Sequence, residues 1–185
     1  EVPMNPYRVV WDLMHTVDLD NTIITHESGS AREYLSPFWE ARAPRSFIGW
    51  GKSTQLGYGL GLSIGAKLAA PEKQVVNIMG DAAFGMSGLD LETAVRCKIP
   101  ILTVVLNNAK MTGYDDYHPV ATERYKINHL GGNYSKVAEG LGAHTERVDA
   151  PSDLAAAIKR AEAANREGQA ALLEVLTKVE KKVAK

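Results

Sequence analysis

Short apolar runs recur at positions 22–25, 46–49, 75–79, 101–106, 143–148 and 170–176, and most segments between them carry helical spacing. Strands separated by helix-length segments cannot be joined as tight hairpins. They need crossovers, and crossovers give parallel pairing. The alternation therefore predicts an α/β domain with three layers, α/β/α, around a mostly parallel sheet, Rossmann-like in architecture. A chain of 185 residues, 45% apolar and 23% charged, suits one such domain with a full core.

Asn5-Pro6 predicts a helix start, with Val9, Val10, Leu13, Met14 and Val17 on one apolar face. His26 to Arg32 reads as a polar loop. Thr54 to Ala70 reads as a helix dense in glycine (Gly57, Gly59, Gly61 and Gly65). Glycine costs a helix ~1 kcal/mol relative to alanine, so four of them point to close approach by another helix or a ligand. Further helices are expected over Ser87 to Cys97, 133–141 and 152–166, with a long loop over 112–132. The lysine-rich stretch from Lys178 to Lys185 reads as a solvated tail.

Lys and Arg number 21 against 22 Asp and Glu, a formal net charge of −1. That balance offers no basic field for nucleic acid and no polybasic patch for a membrane surface. No apolar stretch approaches the ~18 residues of a membrane span, and no signal peptide opens the chain. The single cysteine, Cys97, excludes an intrachain disulfide and a multi-cysteine metal site. It reads as a buried helix residue in a reducing compartment, so a cytoplasmic location is expected. The chain opens on Glu1 without a methionine, which suggests processing or a cut from a longer protein.

Ligands of open parallel sheets bind outside the carboxyl ends of the strands. Two strands end in polar residues there: one runs into Gly80-Asp81-Ala82-Ala83-Phe84, the other into Leu106-Asn107-Asn108. The stretch from Asp81 to Asn108 has the length of one βαβ crossover, so both side chains are expected at the same edge of adjacent strands. A carboxylate beside an amide oxygen suits a hard dication such as Mg²⁺, which completes its shell with phosphate oxygens. Gly80 would let the backbone approach a phosphate, and the amides after Asp81 could donate to it.

Gly-Asp-Ala-x-Phe, then an acidic helix, then Leu-Asn-Asn resembles the signature of thiamine diphosphate (ThDP) enzymes. The Gly-Asp-Ala form, Pro44-Arg45-Ser46-Phe47-Ile48, and Leu56-Gly57-Tyr58-Gly59-Leu60-Gly61 resemble the acetolactate (acetohydroxyacid) synthase-like branch, at its C-terminal diphosphate-binding domain. The resemblance implies that Asp81, Asn108 and the Lys110 carbonyl hold the metal. It implies that Ala82 and Ala83 donate amides to the diphosphate, with Gly80, Gly29, Ser30 and Ala31 in contact. Leu56 would support the bent cofactor, with Thr54, Gln55 and Met111 also at the cofactor site. It implies a synthase, lyase or decarboxylase acting on a small 2-oxo acid through a thiazolium ylide. The catalytic glutamate would lie on a separate pyrimidine-binding domain, for which no block exists between residues 1 and 185. That domain would come from the rest of a longer enzyme or from another chain of a homo- or hetero-oligomer. Split sulfopyruvate and phosphonopyruvate decarboxylases are similar too, and Arg32 could then meet an acidic substrate tail. Here the glycine after Asn107-Asn108 lies one place later than in the family pattern, Lys52-Ser53 replaces a glycine-rich pair, and 114–133 lacks a Trp-Gln run. These departures leave the substrate and any flavin open.

Plainer readings stand beside these. Asp81 could cap a helix, Asn107-Asn108 could mark a turn, and Leu56 could be core. His26 and His118 read as solvated loop residues, and Glu27, near the diphosphate loop, reads as a structural residue with a substrate contact as the alternative. Ser46 to Ser53 is one residue away from a P-loop, making an ATPase the remote alternative. Phe47, Ile48 and Trp50 are too bulky for a loop that wraps phosphate with its amides.

Overall fold

The computed structural model describes residues 1–51, 55–111 and 114–181. Among them, six strands form one sheet: β1 (Thr22–His26), β2 (Phe47–Ile48), β3 (Gln74–Gly80), β4 (Leu102–Asn107), β5 (His144–Val148) and β6 (Ala171–Leu176). Their order is β2-β1-β3-β4-β6-β5, and every neighbouring pair is parallel. The chain leaves β1 toward β2 on one side and returns to β3 on the other. That reversal opens a crevice beyond the carboxyl ends of β1 and β3, where open α/β sheets bind ligands.

Helices cover both faces: α1 (Pro6–Met14), α2 (Ser30–Leu35) and α9 (Pro151–Arg166) on one, α3 (Tyr58–Ala69), α4 (Asp81–Ser87), α5 (Leu91–Arg96) and α8 (Tyr134–Gly140) on the other. Alternate residues of each central strand feed the two cores. Val76, Ile78, Leu102, Val104, Leu106, Leu173 and Val175 face the first, and Val75, Met79, Ile101, Val105 and Leu172 the second. Strands buried on both faces read as unbroken apolar runs, which is why the sequence marks them. The start of α1 also follows from the sequence. Asn5 accepts a hydrogen bond from the Tyr7 amide and Pro6 opens the first turn.

Several expectations are corrected. The loop after β1 is short: α2 begins at Ser30, because Gly29 (φ +76°) turns the chain at once. A helix begins directly at Asp81, not at Ser87. The segment to Cys97 is broken into α4, a 3₁₀ turn at Gly88–Asp90, and α5. The expected loop over 112–132 contains α6 (Tyr114–Tyr117) and α7 (Pro119–Tyr125), neither with a buried residue. Close approach holds for Gly59, where a Cβ would fall 2.8 Å from Asn77 Oδ1 and from Glu27 Oε1. Gly61 and Gly65 would meet nothing within 4 Å. Cys97 is exposed at the end of α5. His26 is buried as the last residue of β1, and burial lowers its pKa. The start of the expected tail is docked: the Lys178 amide donates to the Met4 carbonyl (2.9 Å) and the Tyr34 hydroxyl to the Glu180 carbonyl (2.5 Å).

Candidate functional site

A cavity of about 290 Å³ opens at the carboxyl ends of β1, β3 and β4. Gly29, Ser30 and Ala31 line it from the loop and helix after β1. Gly80, Asp81, Ala82 and Ala83 line it from the β3–α4 junction, and Asn108, Lys110 and Met111 from the segment after β4. Leu56, half-buried, forms another part of the wall. Gln55 is exposed and is not part of this wall, and Thr54 lies outside the described residues, as do Lys52 and Ser53. Ser28, Tyr34, Leu106 and Tyr114 also line the cavity and went unpredicted. Each lies one to three positions along the chain from a predicted residue, and that nearness in sequence is the signal that could find them. Arg32 lines the cavity as well. Its guanidinium donates to Glu33 Oε1 (2.6 and 3.0 Å) and to the Gly51 carbonyl (2.9 Å).

Gly80 and Leu106 are in register on β3 and β4, so the residues that follow leave the sheet at one edge. Asp81 is the first residue of α4 and 3% exposed. Its Oδ1 accepts the Ala82 amide (2.8 Å), whereas its buried Oδ2 has no hydrogen-bond partner among the described residues. Burial pushes this carboxyl above the usual range, and the nearby amides of Ala82, Ala109, Lys110 and Asn108 only partly offset it. An unsatisfied buried carboxylate oxygen is costly, and a cation would satisfy it.

Two successive side-chain turns shape the loop after β4. Asn107 Oδ1 accepts the Ala109 amide (3.1 Å), and Asn108 Oδ1 accepts the Lys110 amide (3.0 Å). The segment around Asn128 fixes the outer side, with Met111 donating to the Asn128 carbonyl (2.8 Å) and Leu130 to the Ala109 carbonyl (2.9 Å). Lys110 Nζ pairs with Asp115 Oδ2 at 2.6 Å. Glycine at 80 answers to no packing demand: its φ is −83° and an added Cβ would meet nothing within 4 Å. The free space there lets another group approach the backbone.

Glu27 is fully buried and is no part of the cavity wall, which agrees with its structural reading and not with a substrate contact. It accepts the Gly57 amide on Oε2 (2.9 Å) and the Gly59 amide on Oε1 (2.5 Å), tying down the turn that follows Leu56. His26 is likewise packed away: a Cβ on Gly49 would lie 2.0 Å from its Nε2. His118 precedes α7 and is exposed. The P-loop reading fails because Phe47 and Ile48 form β2, paired with Ile24 and Thr25, where an anion-wrapping loop would be required. Among the described residues no group of three or more His, Cys, Asp or Glu side chains could hold a metal, so a cation there would need other oxygens beside a carboxylate, from amide, backbone, water or phosphate. Among the same residues no helix is long and apolar enough to cross a membrane.

Comparison with known proteins agrees with this geometry. Residues 27–175 match the family model "Thiamine pyrophosphate enzyme, C-terminal TPP binding domain". The chain is 32% identical over 179 residues to a probable acetolactate synthase of Mycobacterium bovis, covering 95% of this chain and 32% of that protein. It is 31% identical over 163 residues to a 2-hydroxyacyl-CoA lyase of Saccharomyces cerevisiae, covering 85% of this chain and 28% of that protein. The chain thus spans about a third of the length of these relatives. A structure of the thiamine diphosphate-dependent 4-hydroxybenzoylformate decarboxylase of Rhodococcus jostii RHA1 shares the fold, with a TM-score of 0.84 at 24% identity over 98% of this chain and 34% of that one. The matched span contains β3, β4 and all three cavity-forming segments from Gly29 to Met111, and the chain belongs to the thiamine pyrophosphate enzyme family as a C-terminal TPP-binding domain.

Proposed function

We propose that the cavity holds Mg²⁺ through the side chains of Asp81 and Asn108 and the backbone carbonyl of Lys110, and holds the diphosphate of ThDP against the metal. The observation that carries this reading is the buried Oδ2 of Asp81, which has no hydrogen-bond partner among the described residues, in the same cavity wall as Asn108. Mg²⁺ takes oxygen ligands and commonly shares them with phosphate. Ala82 and Ala83 open α4 and offer amides to the diphosphate, and Gly80 and the Gly29–Ala31 segment let backbone approach it. Leu56, which precedes the Gly57 amide that Glu27 accepts, supports the cofactor's central bend. Met111 completes the cofactor site from the segment after β4.

Once bound, ThDP supplies the electron sink that decarboxylation and carbon–carbon ligation of 2-oxo acids require. The residues of this chain bind and orient. Asp81 sets negative charge against the metal, and the loop amides set positive dipoles against the diphosphate. A glutamate on a separate pyrimidine-binding domain, supplied by the rest of a longer enzyme or by another chain, would hold the aminopyrimidine end of the cofactor. The whole protein is then an oligomeric acetolactate synthase-like enzyme that decarboxylates or joins small 2-oxo acids. The names of its relatives and its coverage of about a third of their length support that reading. The lone cysteine fits a cytoplasmic location. In a split decarboxylase for an acidic substrate, Arg32 would bind the acidic tail, but its donors are engaged with Glu33 and Gly51.

Calorimetric titration of ThDP into the native protein, with and without Mg²⁺, tests the assignment. Binding is expected to depend on Mg²⁺ and to fall by roughly 100-fold or more in Asp81→Ala. Unchanged, metal-independent binding would overturn it.

A further inference from the structure

We propose that Glu174, in the centre of β6, is the positioning residue for the cation-binding loop. This rests on the metal site proposed above. Glu174 is fully buried, and its register partner on β4 is Val105. Residues two apart on a strand share a face, so its carboxylate lies diagonal to Asn107 beneath the loop. Oε1 accepts Asn107 Nδ2 at 2.7 Å and Oε2 accepts the Ser135 amide at 2.8 Å. Arg147, its register partner on β5, brings a guanidinium nitrogen to 3.7 Å of Oε1.

The link continues into the site. With Nδ2 held by Glu174, the Asn107 side chain is fixed with Oδ1 toward the Ala109 amide. Ala109 has a φ of +56°, a left-handed conformation that a non-glycine residue keeps only when its surroundings impose it. That single residue separates Asn108 from Lys110, so its conformation sets where the Asn108 side chain and the Lys110 carbonyl lie relative to Asp81. The second oxygen of Glu174 anchors the first turn of α8. Its Tyr134 ring packs edge-on against Phe84 of α4, the helix that Asp81 opens. One buried carboxylate thus braces both ligand-bearing segments, and a carboxylate suits the task because both of its oxygens accept. A glutamine in the same placement sets an NH₂ donor where one of these two oxygens accepts, so it meets either Asn107 Nδ2 or the Ser135 amide donor to donor.

The test is Mn²⁺ binding to the native protein at saturating ThDP, read from the electron paramagnetic resonance of free Mn²⁺, with thermal unfolding followed in parallel. Glu174→Gln and Asn107→Ala are each expected to raise the Mn²⁺ Kd by roughly tenfold or more, as loss of a support behind a ligand does. The double variant is expected to stay within about threefold of Asn107→Ala alone, because the two act through one link. A Kd within twofold of wild type for a folded Glu174→Gln, whatever its Tm, would reduce Glu174 to packing and overturn the proposal. If Glu174→Gln does not fold, Asn107→Ala decides: a raised Kd supports the link and an unchanged one overturns it. Asp81→Ala separates the two levels. If it binds Mn²⁺ as wild type does, the metal-site assignment itself fails. If it loses Mn²⁺ while both link variants keep it, only the role of Glu174 fails.

Discussion

Glu27 and Gly59 interlock: the Glu27 carboxylate accepts the Gly59 amide, and the space where a Cβ would sit on Gly59 is filled by that carboxylate and by Asn77 Oδ1. Gly59→Ala therefore forces apart a buried hydrogen-bonded contact and should cost about 1–3 kcal/mol of stability. Gly61, two residues on in the same helix, has open space around it. Gly61→Ala should gain up to ~1 kcal/mol from helix propensity. Thermal unfolding of the two variants checks the pair. Equal shifts in the same direction would contradict the contact.

The same carboxylate gives stability a pH dependence. Burial, outweighing the amides of Gly59, Gly57, Ser28 and Leu60, holds the Glu27 pKa above its ordinary 4.5. The folded state then binds this proton more tightly than the unfolded chain. From about pH 4.5 up to the raised value, folding takes up a proton and stability falls as pH rises. Glu27→Gln removes that titration. Denaturant unfolding across this window should show the wild-type stability, measured against the variant, declining with rising pH. An increase instead would mean that the amide hydrogen bonds outweigh burial.

Asp81 trades stability for binding. Asp81→Asn keeps an acceptor for the Ala82 amide and removes a buried charge whose second oxygen has no hydrogen-bond partner among the described residues. Without metal and cofactor, the Tm of the variant should equal or exceed that of wild type. With both present at about 100 times Kd, wild type should gain about 2.7 kcal/mol, roughly 5–10 °C for a chain of this size, and the variant little. A variant that loses Tm without ligands, yet gains as much as wild type with them, would contradict the assignment.

The central strands and the Asp81 and Asn108 ends were legible in the sequence. Runs such as Val75–Met79 are buried on both faces, and the two polar exits are separated by one crossover. The helices α6 and α7 were not legible, because they bury no residue and so leave no periodic apolar signal. The start of α4 at Asp81 was hidden by the glycines and small residues that follow. Glu27 and Glu174 carry no local mark either. Glu174 interrupts an apolar strand, and its partners lie 67 and 39 positions away. Only the folded register shows why a carboxylate belongs there.

The central claim is that Asp81, Asn108 and the Lys110 carbonyl share one cation. Anomalous diffraction from crystals of the native protein grown with Mn²⁺ and ThDP tests it most directly. A peak at coordination distance, about 2.1 Å for the Mg²⁺ it replaces, from Asp81 Oδ2, Asn108 Oδ1 and the Lys110 carbonyl oxygen is the predicted result. Bound diphosphate with the metal peak elsewhere, or with no peak, would contradict it.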